Sequence, residues 1–480
     1  MAASTPILKK EMYRCRTNFG VNLGSCFVRE QWMCGDMMNG KNTELEAVTE
    51  DIRTRGYDGA RDHLEGFWKG FMIDDDWRWL QERGANSVRV PIGYWVINGG
   101  GFTQCTDFER VAPVYGNAWN ILKSHFVEAA GRFGISVLVD LHGVPGGANG
   151  DSHSGEHVGS AEFWNKDTYQ ALMVEAVRFM AQELKNYENI VGIQVVNEAV
   201  TDDPHKAQFR YYEACLRAVR EEDTTMPLII SDSWVAHKFN DWVQDIQGLE
   251  QNLGLVVDEH CYRNSTSADQ SKSAEKITKD LEGDFLTGLR NNGNGVDFML
   301  GEFSCALSEN TWRLSGVDPH NHNDAGRKQL ASAFGRKQIE LALKRAPSAI
   351  YFWSYKYPYN WGEWDYRVCL DGYFNGPRVS MPPDGKFEKI RDREWKAHKD
   401  FWSRQDGNYE FDRYRNGFEA GWKDCVAFAE QGSMIGRKHA VRFARRQEHI
   451  REKGNLDHLW EFEDGFNKAL EEFAKEFYHV

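Results

Sequence analysis

No run of apolar residues in this 480-residue chain approaches the length that spans a bilayer. Met1 to Arg16 has no apolar core of the kind that marks a secretory leader, so the cytoplasm is the expected compartment. Cysteine occurs nine times, at 15, 26, 34, 105, 215, 261, 305, 369 and 425, with no CxxC pair and no regular spacing. That excludes a disulfide framework and fits free thiols in a reducing compartment. Positive charge is in deficit: 58 Lys and Arg face 72 Asp and Glu, a formal net charge of −14. An acidic balance argues against nucleic acid or an anionic membrane as the main partner and suits a neutral ligand. No GxGxxG and no P-loop follows any strand-like run, and no metal or cofactor is expected.

What is present is aromatic and alternating. Aromatics make up 13% of the chain, with 17 Trp, which suits stacking on the C–H faces of sugars and suits a large core equally well. Eight apolar, β-rich runs recur at Phe19–Leu23, Ser87–Ile92, Ser136–Leu141, Ile190–Val196, Pro227–Ser231, Leu255–Glu259, Asp297–Gly301 and Ala349–Ser354. Helical periodicity lies between them, clearest at Trp119–Phe133, Thr168–Tyr187, His205–Glu222, Ala274–Asn291 and Gly326–Arg345. Eight strands with helical crossovers predict an α/β (β/α)8 TIM barrel over residues 1–375. Gln31–Trp68, Asn98–Asn117 and Val144–Ser160 read as insertions after strands, where barrel enzymes build their pockets.

Beyond Pro377, Pro382 and Pro383 the composition turns charged and helical, so 376–480 is expected to be a helical extension packing on the barrel. Phe418-Glu419-Ala420-Gly421-Trp422 returns 44 residues later as Phe462-Glu463-Asp464-Gly465-Phe466, which predicts two amphipathic helices packed on the barrel or on each other. A homo-oligomer through these helices is one use for them. The basic stretch Arg437–Arg451 between them reads as a solvated face.

Two runs carry the chemistry. Ile193–Glu198 and Phe298–Phe303 each read as a buried strand with a glutamate at its end, Glu198 and Glu302. A carboxylate there sits at the rim where barrels handle ligands, and a pair of them suits cleavage of a glycosidic bond by a proton donor and a nucleophile. Arg89, His142, Asn197, His260, Tyr262 and Trp353 fall at the ends of other strands. Taken singly, each has a structural explanation as salt-bridge partner, satisfied histidine or core ring. Their convergence on one rim is what favours a site. Asp318, His320 and His322 offer a metal-hydrolase alternative on a Pro- and Asn-containing loop.

Read together, Gly20–Ser25 with Glu30, Val88–Trp95, Val139–Gly143, Asn197-Glu198, Asp258–Tyr262, Gly301–Phe303 and Trp353–Lys356 resemble glycoside hydrolase family 5, more closely its fungal exo-β-1,3-glucanase branch. The resemblance covers about 18–372. It implies Glu198 as general acid/base and Glu302 as nucleophile of a retaining mechanism, and Arg89 as the partner that keeps Glu302 ionised. It further implies Asn197 on the sugar 2-hydroxyl, His142, His260 and Tyr262 as a polar wall, and Trp353 as a stacking floor. Glu30 would gather the outer hydroxyls of a terminal glucose. In that branch two Phe side chains clamp the next sugar; the corresponding positions here are Asp151 and Ser265, with Trp361 or Trp364 as substitutes from another loop. The implied function is release of glucose from the non-reducing end of β-glucans or small β-glucosides. The alternatives are a lipid or phenolic aglycone (steryl glucoside, glucosylceramide, rutinoside) and an inactive carbohydrate-binding barrel.

Overall fold

The computed structural model describes residues 7–202, 204–248, 251–289, 295–357, 362–454 and 457–479. Eight parallel strands close into a barrel in sequence order: β1 (Asn18–Asn22), β2 (Ser87–Gly93), β3 (Ser136–Gly143), β4 (Ile190–Gln194), β5 (Leu228–Ser231), β6 (Leu255–Cys261), β7 (Asp297–Phe303) and β8 (Ala349–Phe352). Parallel strands covered on both faces read as continuous apolar runs, and almost every strand residue here is buried.

The alternation of side chains along each strand sorts the barrel interior by height. Along β3 the inward positions run Leu138, Asp140, His142; along β6 they run Val256, Asp258, His260. The lower interior is therefore apolar, with Leu138, Val191, Ile229, Val256, Met299 and Tyr351 packed over Tyr13 of the N-terminal helix Lys9–Cys15. The upper interior is charged and opens at the C-terminal ends of the strands.

The expected crossover helices are present as Asp167–Leu184, Lys206–Glu222, Ala274–Asp284 and Ala325–Arg345, with a helical run over 118–132. The third ends at Asp284; Asn291 lies outside the described residues. Gln31–Trp68 departs from the expected insertion. From Glu44 to Phe71 it is helical, started by a Thr43–Glu46 capping box and broken at Gly56, where φ is 72°. Asp74–Glu82 then leads into β2, and a further helix, Ala236–Gln247, follows β5. The Asp318–His322 loop gathers no metal-ligating group among the described residues. His320 is exposed, and His322 Nδ1 lies 3.2 Å from Glu363.

Beyond the barrel, helices run over Lys386–Trp402, Phe411–Ala429, Lys438–Lys453 and Leu459–Phe477. The repeat becomes a parallel pair, the second and fourth of these, in backbone contact. A Cβ on Gly417 would lie 1.9 Å from the Phe462 carbonyl oxygen, and one on Gly465 2.0 Å from that of Tyr414. The basic helix between them is not the expected solvated face: Arg437, Arg442, Arg445 and Arg446 are buried. Arg445 forks onto Asp424 at 2.7 and 2.8 Å, and Arg446 meets Glu463 at 3.2 Å, so these cations tie the helices together.

The extension covers the barrel's foot, the end opposite the charged opening. At the start of β7, Asp297 accepts hydrogen bonds from the amides of His439 and Ala440, capping the Lys438–Lys453 helix. Thr17 N donates to Met434 O at 2.7 Å, and Gly436 N to Cys15 O at 2.8 Å. On the N-terminal helix, Arg14 forks onto Asp223 at 2.7 and 3.1 Å. Among the described residues no helix is long and apolar enough to cross a membrane, and all nine cysteines are free.

Candidate active site

The opening of the barrel brings Glu198 and Glu302 together. A carboxylate oxygen of each, and a ring nitrogen of His260, lie within 4.8 Å of one another. Glu302 sits in β7, fixed by Arg89 Nη1 at 2.9 Å and by the Tyr262 hydroxyl, which donates to Oε2 at 2.7 Å. Glu198 follows β4 with φ at 41°, in the left-handed region, which turns its side chain over the opening. Its Oε1 is 2.7 Å from His260 Nδ1.

Arg89 organises the layer beneath. Fully buried on β2, it donates to Asn22 Oδ1 and Gln194 Oε1 at 2.8 Å each and to Asn197 Oδ1 at 2.6 Å, and pairs with Asp140 at 3.0 Å. A guanidinium has five donors in a fixed fork, so one residue positions four neighbours and Glu302 at once. His142 Nδ1 rests on Asp140 at 2.8 Å, and its ring lies nearly parallel to Trp353, 15° apart at 5.9 Å. Glu30 accepts from Trp32 Nε1 at 2.8 Å; burial raises its pKa against the pull of His153 and His142.

His260 is the electrostatic hub. Burial works against its charge, but Glu302 and Asp258 outweigh that and keep the imidazole protonated well above its ordinary range. Burial would likewise raise Glu198. The hydrogen bond from His260 and the nearby His153 outweigh it and hold the carboxyl below its usual value. Protonation at the opening therefore belongs to a connected Glu198–His260–Glu302 group, not to separate residues.

All nine residues singled out in the sequence reach this opening: Glu30, Arg89, His142, Asn197, Glu198, His260, Tyr262, Glu302 and Trp353. Asp151 and Ser265 are solvent-facing polar side chains, Asp151 with its side chain 77% exposed. Trp364 packs against Trp32 and Tyr262 at 5.4 and 5.6 Å; Trp361 lies outside the described residues. Two residues carried no periodic signal and were missed. His153, on the loop after β3, brings Nε2 to 3.5 Å from Glu198 and 3.7 Å from Asp151. Trp234, after β5, is 51% exposed and meets the His260 ring edge-on at 6.5 Å. The Asp232-Ser233-Trp234 turn holds Ser233 and Trp234 at positive φ, a geometry that left no signal in the sequence.

The pattern of the cellulase family (glycosyl hydrolase family 5) matches residues 45–341, and that of the glucan 1,3-beta-glucosidase 3 C-terminal domain matches 384–477. Glucan 1,3-beta-glucosidase 3 of Schizosaccharomyces pombe is 32% identical over 471 residues, covering 96% of each chain. An uncharacterized glycosyl hydrolase of Saccharomyces cerevisiae is 31% identical over 97% of this chain and 93% of its own. Among solved structures, the rutinosidase from Aspergillus niger superposes with a TM-score of 0.58 at 18% identity, over 76% of this chain and 99% of that one. That last likeness is one of fold.

Proposed function

Because the chain belongs to glycosyl hydrolase family 5, we propose that it hydrolyses β-glucosidic bonds with retention, releasing glucose from the non-reducing end of a β-1,3-glucan or small β-glucoside. One observation carries the mechanism: Glu198 and Glu302 approach within 4.8 Å. Double displacement needs carboxyl groups about 5–5.5 Å apart, whereas inversion leaves room for water at about 6.5–9.5 Å.

Glu302, ionised against Arg89 and aimed by Tyr262, attacks the anomeric carbon. The departing oxygen takes a proton from Glu198, supplied along the 2.7 Å bond to His260. Once the glycosyl–enzyme forms, Glu302 has lost its charge. Glu198 then stays ionised and takes the proton of the attacking water. Asn197, its carbonyl oxygen occupied by Arg89 at 2.6 Å, turns its amide donors toward the sugar and His142. Trp353 and His142 give the ring a flat floor and a polar wall.

Support for glucan comes from the relatives named glucan 1,3-beta-glucosidase and from the leaving-group side. There Trp234, 51% exposed, offers a flat ring, and Asp151, His153 and Ser265 offer polar groups. An exposed ring beside hydrogen-bonding groups suits a second sugar. Following the first product on laminaribiose by NMR tests the reading: β-glucose is expected, and α-glucose appearing first would overturn it.

A further inference from the structure

The loop after β3, residues 144–160, is the support on which Glu198 rests. Glu198 holds a left-handed backbone, φ 41°, and such a conformation persists only where neighbours enforce it. Three of those contacts come from this loop. Asn149 Nδ2 donates to the Glu198 carbonyl oxygen at 2.8 Å, and Val200 N donates to the Ala148 carbonyl oxygen at 3.0 Å. His153 Nε2 lies 3.5 Å from Glu198 Oε2.

The loop is in turn gripped by a buried carboxyl that the mechanism above leaves unused. Glu156 is only 3% exposed. Its Oε1 accepts from the hydroxyl of buried Tyr94, just past β2, and its Oε2 accepts from Gly146 N at 2.6 Å. One side chain thus joins two points of the loop and ties both to the end of β2. Asn149 and His153 lie within the span it closes. Burial pushes the Glu156 carboxyl up to about 7, against the pull of its two donors. An apolar side chain would fill such a place without that desolvation cost, so the use of a carboxyl points to the two groups it joins. The loop has backbone ties as well, Gly159 N to Gly150 O at 2.7 Å and Leu45 N to Gly155 O at 2.9 Å, which do not depend on Glu156.

We propose that Glu156 is a positioning residue for the acid/base: by joining Tyr94 to Gly146 it fixes the loop that sets the Glu198 carboxyl against the departing oxygen. The proposal rests on the glycosidase reading above. It requires that loss of Glu156 be felt in proton donation and not in the attack by Glu302, which is held separately by Arg89 and Tyr262.

Two substrates separate these steps. Dinitrophenolate leaves without a proton, so kcat/KM for 2,4-dinitrophenyl β-glucoside reports attack alone, whereas methyl β-glucoside needs the acid. Glu156→Ala should lower kcat/KM about 10–100-fold for the methyl glucoside, the scale of a small misplacement, and less than about threefold for the dinitrophenyl one. Glu156→Gln should restore most of the loss, because its carbonyl accepts from Gly146 N while its amide donates to the Tyr94 oxygen. Tyr94→Phe deletes one of the two contacts and keeps the ring. It should show the same selectivity at smaller size, and serves as the test if Glu156→Ala does not fold. The proposal falls if the folded variant loses both substrates equally, if it loses neither, or if Gln at 156 is as poor as Ala. Wild-type turnover of either glucoside upholds the glycosidase reading whatever the variants do, so the two fail separately.

Discussion

The two ends of the barrel are made by the same eight strands and handle buried charge in opposite ways. At the foot, ions are answered locally. Asp223 holds Arg14 at 2.7 Å and Lys10 at 3.0 Å, and Asp297 spends its oxygens on two helix amides. At the mouth, ions are shared. Glu198, Asp258 and Glu302 all lie within 3.5 Å of the His260 ring, while Arg89 divides itself between Asp140 and Glu302. A locally closed pair resists any change in protonation, whereas a shared set lets one proton move at little cost. The foot is built to stay as it is, the mouth to change state.

That contrast can be broken by moving a substitution from one end to the other. Glu302→Gln should lower kcat/KM by at least about 10^3-fold while thermal unfolding shifts little. A variant that unfolds early yet keeps its turnover would make the mouth a structural feature. Asp223→Asn should do the reverse. Leaving Arg14 without its anion costs about 3–5 kcal/mol of stability, read as a lowered Tm, with kcat/KM of the folded enzyme unchanged. Acid sharpens the same point. Burial pushes the Asp223 carboxyl up, but Arg14 outweighs it and holds it well below the usual range. Its contribution is therefore complete above the unfolded value of about 3.9 and is lost as pH falls below it.

Smaller effects test the parts beyond the barrel's two ends. Gly465→Ala drives a Cβ to 2.0 Å from the Tyr414 carbonyl and should cost about 1–3 kcal/mol in denaturant titrations. Gly66→Ala, on a helix with open space around it, should instead stabilise by about 0.5–1 kcal/mol. Equal outcomes for the two would mean the repeat's helices do not touch as described. Trp234→Ala should raise KM for laminaribiose about tenfold, the worth of one stacked ring, and hardly change hydrolysis of a methyl glucoside. Equal losses on both substrates would remove Trp234 from the leaving-group side.

Much of this was legible in the sequence because parallel strands buried on both faces leave uninterrupted Val, Ile and Leu runs. The strand-end residues Arg89, His142, Glu198, His260 and Glu302 could be placed because each directly follows such a run. Segment Gln31–Trp68 hid its helix because Gly56, Gly59 and Gly66 and many charges dilute the 3.6-residue period. The Arg437–Arg451 helix looked solvated because a sequence shows its charges and not the Asp424 and Glu463 that meet them from helices on either side. His153 and Trp234 sit in irregular turns, where position depends on backbone geometry that no periodicity encodes.

The contact of Asp297 with the amides of His439 and Ala440 has a consequence for synthesis. As the chain leaves the ribosome, β7 emerges well before the helix it caps, so its carboxylate must wait, solvated, until some 140 further residues appear. Thr17, whose amide meets the Met434 carbonyl, waits longer still, for some 417 residues. The reaction centre can assemble while the underside is still wet, and translation that halts near residue 376 should release barrels that are chemically complete but prone to stick to one another by their uncovered base.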